Sequence, residues 1–220
     1  MKRTSAFIGS AILLLIFVTA VTGAEQMRLT SDTLEYDPER GVVTASGNVR
    51  VTGRGAEITS LEGEFDSAGM RSLFRGKVLV RWEESALTMD CEELQLEELP
   101  TGQTISAVKV TRFHDPARNV VMRGDLMKGT VRGGVFTDLE AAGNVVADAV
   151  ASGGGPTRMT GRKAVYSRSK ETLVFSGDAV ATQEGRKITA DTFVIHLKSG
   201  RIEAVGNPRM IVDLPPQESQ

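Results

Sequence analysis

One phrase recurs through the 220-residue chain and constrains its fold more than any other feature. It reads VTASGNVRV at 43–51, EAAGNVVA at 140–147 and VFSGDAVA at 174–181. Each instance closes a longer unit, whose clearest copy is ITADTFVIHLKSGRIEAVGNPRMIV from Ile188. Units begin at Leu29, Ile58, Leu87, Val121, Met159 and Ile188, at spacings of 29, 29, 34, 38 and 29 residues. Such a period describes stacked supersecondary units, none able to bury its apolar face alone. The two long intervals carry insertions, one of them the Gly-rich segment Ala149 to Pro156.

Within each unit, apolar and polar residues alternate, as in half-buried strands. The second halves set Val43, Ala45, Val49 and Val51 on one face, then Phe74, Val78 and Val80, then Val108 and Val110. The column continues through Leu139, Ala141, Val145 and Ala147, then Leu173, Phe175, Ala179 and Ala181, and ends with Ile202, Ala204 and Met210. The first halves add Leu34 and Tyr36, Leu94 and Leu96, Ala164 and Tyr166, and Phe193, Ile195 and Leu197. Asn48, Arg50, Lys77, Arg81, Lys109, Asn144, Asp148 and Asp178 fall on the opposite face. A Gly at 47, 76, 143, 177 and 206 interrupts the second halves, where it fits a bulge or sharp bend. The third copy lacks it and has Ser106, and Lys128 stands in the fourth where an apolar residue is expected. Turn residues such as Pro38 to Gly41, Pro100 to Gly102 and Lys198 to Gly200 join the halves. The expectation is an elongated all-β body of six two-strand repeats, with two facing antiparallel sheets and an apolar interior. CEELQLEELP at 91–100 fits this scheme as a strand with Leu94 and Leu96 inward rather than as an amphipathic helix.

The chain opens with Lys2 and Arg3, a 15-residue apolar run from Phe7 to Val21, and the small residues Thr22-Gly23-Ala24. This pattern is a secretory leader cut after Ala24, the run being short for a membrane span; an uncleaved anchor is the rival reading. Both put the body, expected as one domain over 25–213 with a disordered tail at 214–220, outside the cytoplasm. No Cys beside the cleavage position marks a lipoprotein. Cys91 is the only cysteine, so no internal disulfide is available, and a buried inert thiol is expected. Loss of the leader leaves 24 basic and 28 acidic residues, which argues against a nucleic-acid partner. His114 and His196 are the only histidines, so neither a metal site nor His-based catalysis is expected, and no cofactor motif stands out.

The pattern D-x-L-x-Y…V-x-A-x-G-N-V-x-V, from Asp32 to Val51, resembles the OstA-like family, and the likeness runs from about residue 27 to 213. That family includes the lipopolysaccharide-transport proteins LptA and LptC and the N-terminal domain of LptD. The resemblance implies a taco-like β-jellyroll, open at its side and both ends. It implies a non-enzymatic periplasmic protein that holds lipopolysaccharide acyl chains in its groove. It also implies head-to-tail pairing with further copies and with LptC-like and LptD-like jellyrolls, bridging the inner and outer membranes. Candidate lipid contacts are Phe65, Phe74, Val78, Val80, Leu94, Leu96, Val108, Val110, Leu139, Val145, Tyr166, Phe175, Phe193 and Ile195. Arg81, Lys109 and Arg112 are candidates for a rim facing lipid phosphates. The inward alanines leave room for acyl chains or, equally, permit tight sheet packing. The edges available for pairing are Met27 to Tyr36 and Arg201 to Val212, with Pro208 limiting the second. Competing readings are an LptC-like anchored subunit, a structural β-solenoid polymer with a filled core, and a polysaccharide-acting β-helix enzyme. The last would need an acid–base cluster that the sequence does not offer.

Overall fold

The computed structural model describes residues 27–212 apart from 67, 69, 133–134, 151–155 and 184–185. The expected leader and tail lie outside the described residues. The described residues form fourteen strands in succession: β1 (Arg28–Thr30), β2 (Thr33–Asp37), β3 (Val42–Gly53), β4 (Ala56–Asp66), β5 (Arg71–Trp82), β6 (Leu87–Leu99) and β7 (Gly102–Asp115). Then come β8 (Val120–Arg132), β9 (Val135–Val150), β10 (Pro156–Ser167), β11 (Thr172–Gln183), β12 (Arg186–His196), β13 (Arg201–Val205) and β14 (Arg209–Val212). All pair antiparallel in one continuous sheet, each long strand beside its sequence neighbours. β1 and β2 pair with the two halves of β3, and β13 and β14 with the two halves of β12. Each of these pairs is therefore one strand broken near its middle, and the sheet amounts to six hairpin units, as the repeat predicts.

The break recurs in every unit. Gly47-Asn48, Gly76-Lys77, Gly143-Asn144, Gly177-Asp178 and Gly206-Asn207 all have positive φ at both residues. The ladder register slips at the same places, between Ser46 and Val49, Arg75 and Val78, and Ser176 and Ala179. This is a bulge that bends the strand. Its first position needs Gly: a Cβ at Gly143 would lie 2.9 Å from the Cβ of Asp125. Its second position favours Asn or Asp, which tolerate the left-handed region better than other side chains. Tight turns support the bends, as at Arg54-Gly55, where two positive φ values close the hairpin between β3 and β4.

The bends fold the sheet over itself. Trp82, ending β5, and Phe136, starting β9, have ring centroids 4.6 Å apart. Four strand spacings separate β5 from β9, about 19 Å across a flat sheet. The contact requires the upper half of one strand to lie over the lower half of another. Phe113 of β7 likewise meets Tyr166 of β10 at 6.0 Å. The two facing layers expected from the alternation are thus halves of a single bent sheet, staggered by two to four strands. Gly143→Val should destabilise the protein by about 2–4 kcal/mol through left-handed strain and the clash with Asp125. Lys77→Asn should stabilise it by about 0.5 kcal/mol. Urea denaturation of the two variants against the parent measures both.

Candidate functional site

Among the described residues the buried apolar side chains gather in the interior between the layers. Phe74, Val78, Val80, Leu94, Val110, Leu139, Val145, Tyr166, Phe175, Phe193 and Ile195 all lie buried in one cluster. Phe65 and Leu96 are half-buried and pack against it. Thirteen of the fourteen candidate contacts therefore share one inward surface. Val108 does not: it is 36% exposed. In the third unit Val108-Lys109 takes the place of the Gly-containing pair, with Lys109 at φ 51°. The inward positions there are Ile105, Ala107, Val110 and Phe113. One residue is missing from the spacing around this bulge, which turns Val108 outward. Lys128 is also exposed, because Met127 fills the inward position beside it. Met210, expected inward, is 60% exposed on the last strand. His114 lies in β7.

Hairpins of the upper layer meet hairpins of the lower layer along a seam. The described strands form no backbone ladder across it, and side chains span it alone. Arg54 of the β3–β4 turn reaches Glu98 of β6 at 2.5 Å. Trp82 and Phe113 both pack against Phe136. The Tyr166 hydroxyl donates to Asp115 Oδ2 at 2.5 Å, although 51 residues separate the two. Burial and the hydrogen bond to Asp115 push the Tyr166 phenol well above its ordinary pKa. Arg118 Nη1 lies 3.4 Å from the same carboxylate. Asp115 is only 1% exposed, so it is a buried charge held by partners from both layers.

The outer face carries a second regular feature. Asn48 donates to Asp32 at 2.9 Å, Asn144 to Asp125 at 2.7 Å and Asn207 to Asp191 at 3.2 Å. Arg162 Nε donates to Asp178 at 2.8 Å, and Lys109 Nζ to Glu92 at 2.6 Å. Each pair clips a bulge to the preceding strand. Arg81 and Arg112 are exposed on this outer face with Lys109, not on the seam. A concavity of about 580 Å³ with a mixed lining also lies outside the layers, with Gln95, Thr104, Lys128, Glu140 and Val165 among its lining residues. Among the described residues no group of three or more His, Cys, Asp or Glu gathers as a metal site.

The profile of the family described as "LptA/(LptD N-terminal domain) LPS transport protein" matches residues 57–201. The chain belongs to that family. Among curated proteins none matches it. A solved structure it resembles is that of LptH from Pseudomonas aeruginosa, described as the LptA-homologous periplasmic component of the conserved lipopolysaccharide transport device. The identity is 13%, over 86% of this chain and 95% of that one, with a TM-score of 0.26, too loose a likeness to support any inference. The family match covers the lower and upper halves of β5 to β12, and so most of the interior and the seam.

Two sets of residues in this LPS-transport-family chain escape a reading of alternation. The clip partners Asp32, Asp125 and Asp191 do leave a trace, an acidic residue three or four places after each unit begins. The seam residues Asp115 and Arg118 leave none, since nothing local marks which hairpins will meet. Cys91 behaves as its surroundings dictate. It is buried, and burial, helped by the charges of Asp90 and Glu93, pushes its thiol up to about 12. Below pH 9 the thiol is neutral in both folded and unfolded chains and has no effect on pH dependence. Between about pH 9 and 12 the unfolded chain ionises first, so this group lowers stability as pH rises. The stability difference between wild type and Cys91→Ala should therefore shift against wild type over that window. The slope should reach at most about 1.4 kcal/mol per pH unit. Urea unfolding of both proteins from pH 8 to 11 tests this.

Proposed function

We propose that the protein is a periplasmic lipopolysaccharide carrier that shields acyl chains between its two layers and bridges the two membranes by pairing end to end. The observation that carries this reading is the continuous inward column. It runs from Val51 to Ile195 through every unit, in a member of an LPS transport family. Acyl chains gain about 0.8 kcal/mol for each CH₂ removed from water, so a multi-acylated lipid needs such a surface to cross an aqueous space. The seam supports lateral entry, because side chains can part there without breaking a backbone ladder. Secretion by the N-terminal leader belongs to the same proposal.

The ends support assembly. The stagger leaves the lower layer uncovered at the N-terminal end, where Tyr36 is 57% exposed and Leu34 and Phe65 are half-buried. At the C-terminal end it is the upper layer that projects, with Met210, Ile211 and Val212 exposed. The two ends are complementary steps. Their edge strands offer free main-chain groups for strand addition to another copy or to LptC-like and LptD-like jellyrolls. A filled-core structural polymer is the second reading. It is favoured by the packing itself: Leu139, Tyr166, Phe175 and Phe193 have no exposed surface.

A photoreactive phenylalanine analogue at position 175, and separately at Asp178 on the outer face, separates the two in cells with an intact envelope. Lipopolysaccharide crosslinked at 175 alone supports the carrier. Folded, exported protein with no lipid at either position favours the polymer. Assembly has its own measurement: sedimentation of wild type should give concentration-dependent oligomers, and Met210→Asp should shift them to monomer by at least about tenfold in dissociation constant.

A further inference from the structure

The geometry points to a phosphate-binding site at the seam, formed by Arg118 and Arg168 around Tyr166 and Asp115, for a phosphate monoester on the headgroup of a lipid whose chains lie in the interior. This rests on the carrier reading for the source of the phosphate, but the site itself stands on its own observations. Arg118 comes from the hairpin after β7 in the upper layer, and Arg168 from the hairpin after β10 in the lower layer. Arg168 stands two residues after Tyr166, and Arg118 three after Asp115, the acceptor of the Tyr166 hydroxyl. Asp115 is the carboxylate held there, and it accepts from Tyr166 at 2.5 Å and from Arg118 Nη1 at the long distance of 3.4 Å. Arg118 pairs with Asp115, whereas Arg168 has no ion pair among the described residues, which leaves one positive charge in surplus.

The donors are also unfinished. Arg118 Nε and Arg168 Nη1 are buried and have no hydrogen-bond partner. Buried guanidinium donors without acceptors are costly, and an added anion would satisfy them. The planar fork of Arg matches tetrahedral oxyanions, and two forks from opposite layers would grip one phosphate from both sides. Position selects the class of ligand further. Inward of Tyr166 the neighbours are apolar, Phe113 among them, while the Arg118 side chain retains 17% exposure. A ligand held here has its charge at the seam and its apolar part between the layers. Arg81, Lys109 and Arg112 cannot serve the same anion, since they point away on the outer face.

The test uses the mature protein and two probes: bis-phosphorylated lipid A and the same lipid after enzymatic dephosphorylation. Wild type should bind the phosphorylated probe about tenfold more tightly. Arg168→Gln, which does not touch Asp115, should bind both probes alike, at the affinity wild type shows for the dephosphorylated one. The double variant with Arg118→Gln should do the same, provided its circular dichroism remains that of the folded protein. Equal binding of the two probes by wild type, or a preference retained by Arg168→Gln, overturns the proposal. If wild type takes up neither lipid, the carrier reading fails separately, and inorganic phosphate decides the site. A rise in Tm with millimolar phosphate, lost in Arg168→Gln, would keep the anion site and overturn the headgroup as its source. No rise would overturn the site as well.

Discussion

The whole architecture depends on a bend of two residues in the left-handed region, repeated in the middle of alternate strands. Without it, twelve long strand runs would form a twisted open sheet with one apolar face in water. With it, each strand crosses from a lower to an upper layer, and the apolar face closes on itself. Local backbone geometry thereby makes a core from a sheet that no second sheet covers. The identity of the bend residues follows from the same requirement. Gly47 and Gly143 stand where a Cβ would meet the aspartate on the preceding strand, and Asn48 and Asn144 use their amides to hold that aspartate in place. Exposed hydrogen bonds of this kind contribute little singly. Repeated at Asp32, Glu92, Asp125, Asp178 and Asp191, they mark the bend in five of the six units.

A sheet bent in this way has a consequence for its side. The layers meet hairpin to hairpin, so backbone groups there are used in turns, and contact falls to side chains. Arg54 with Glu98, Trp82 with Phe136, and Asp115 with Tyr166 perform the closure. Side-chain contacts part far more readily than a ladder. The molecule therefore combines a rigid direction along its strands with a compliant one across its seam. A carrier needs that combination: permanent apolar walls and an entrance that opens without unfolding.

Much of this is legible in the sequence because the repeat reports the strand period six times over. Alternation places Val43, Phe74, Leu139, Phe175 and Phe193 inward, and the shared Gly marks the bends. Val108 misleads because alternation holds only between bulges. In the third unit the bulge is shorter by one residue and lacks its Gly, so counting by twos crosses it in the wrong phase. The seam is illegible for a different reason. Asp115 and Tyr166 stand 51 residues apart, and their meeting depends on how many strands the layers are staggered by. That stagger comes from accumulated twist and bend angle, which no short motif encodes.

The stagger also explains why the two ends differ although the units are alike. Sliding one layer past the other by two to four strands exposes lower-layer residues at one end and upper-layer residues at the opposite end. Tyr36 and Leu34 on one side, and Met210 and Val212 on the other, are the same kind of inward residue left without an opposite layer. Each end lacks what the other supplies. A body with two self-complementary ends of the same kind would stop at a dimer; one with unlike, complementary ends adds copies in line. The edge strands would temper such growth. Both are broken, at Asp32 and at Gly206 to Pro208, so each offers only short runs of free main chain. Joining would then depend on apolar steps fitting as well as on strand pairing, which restricts it to partners built with the same stagger.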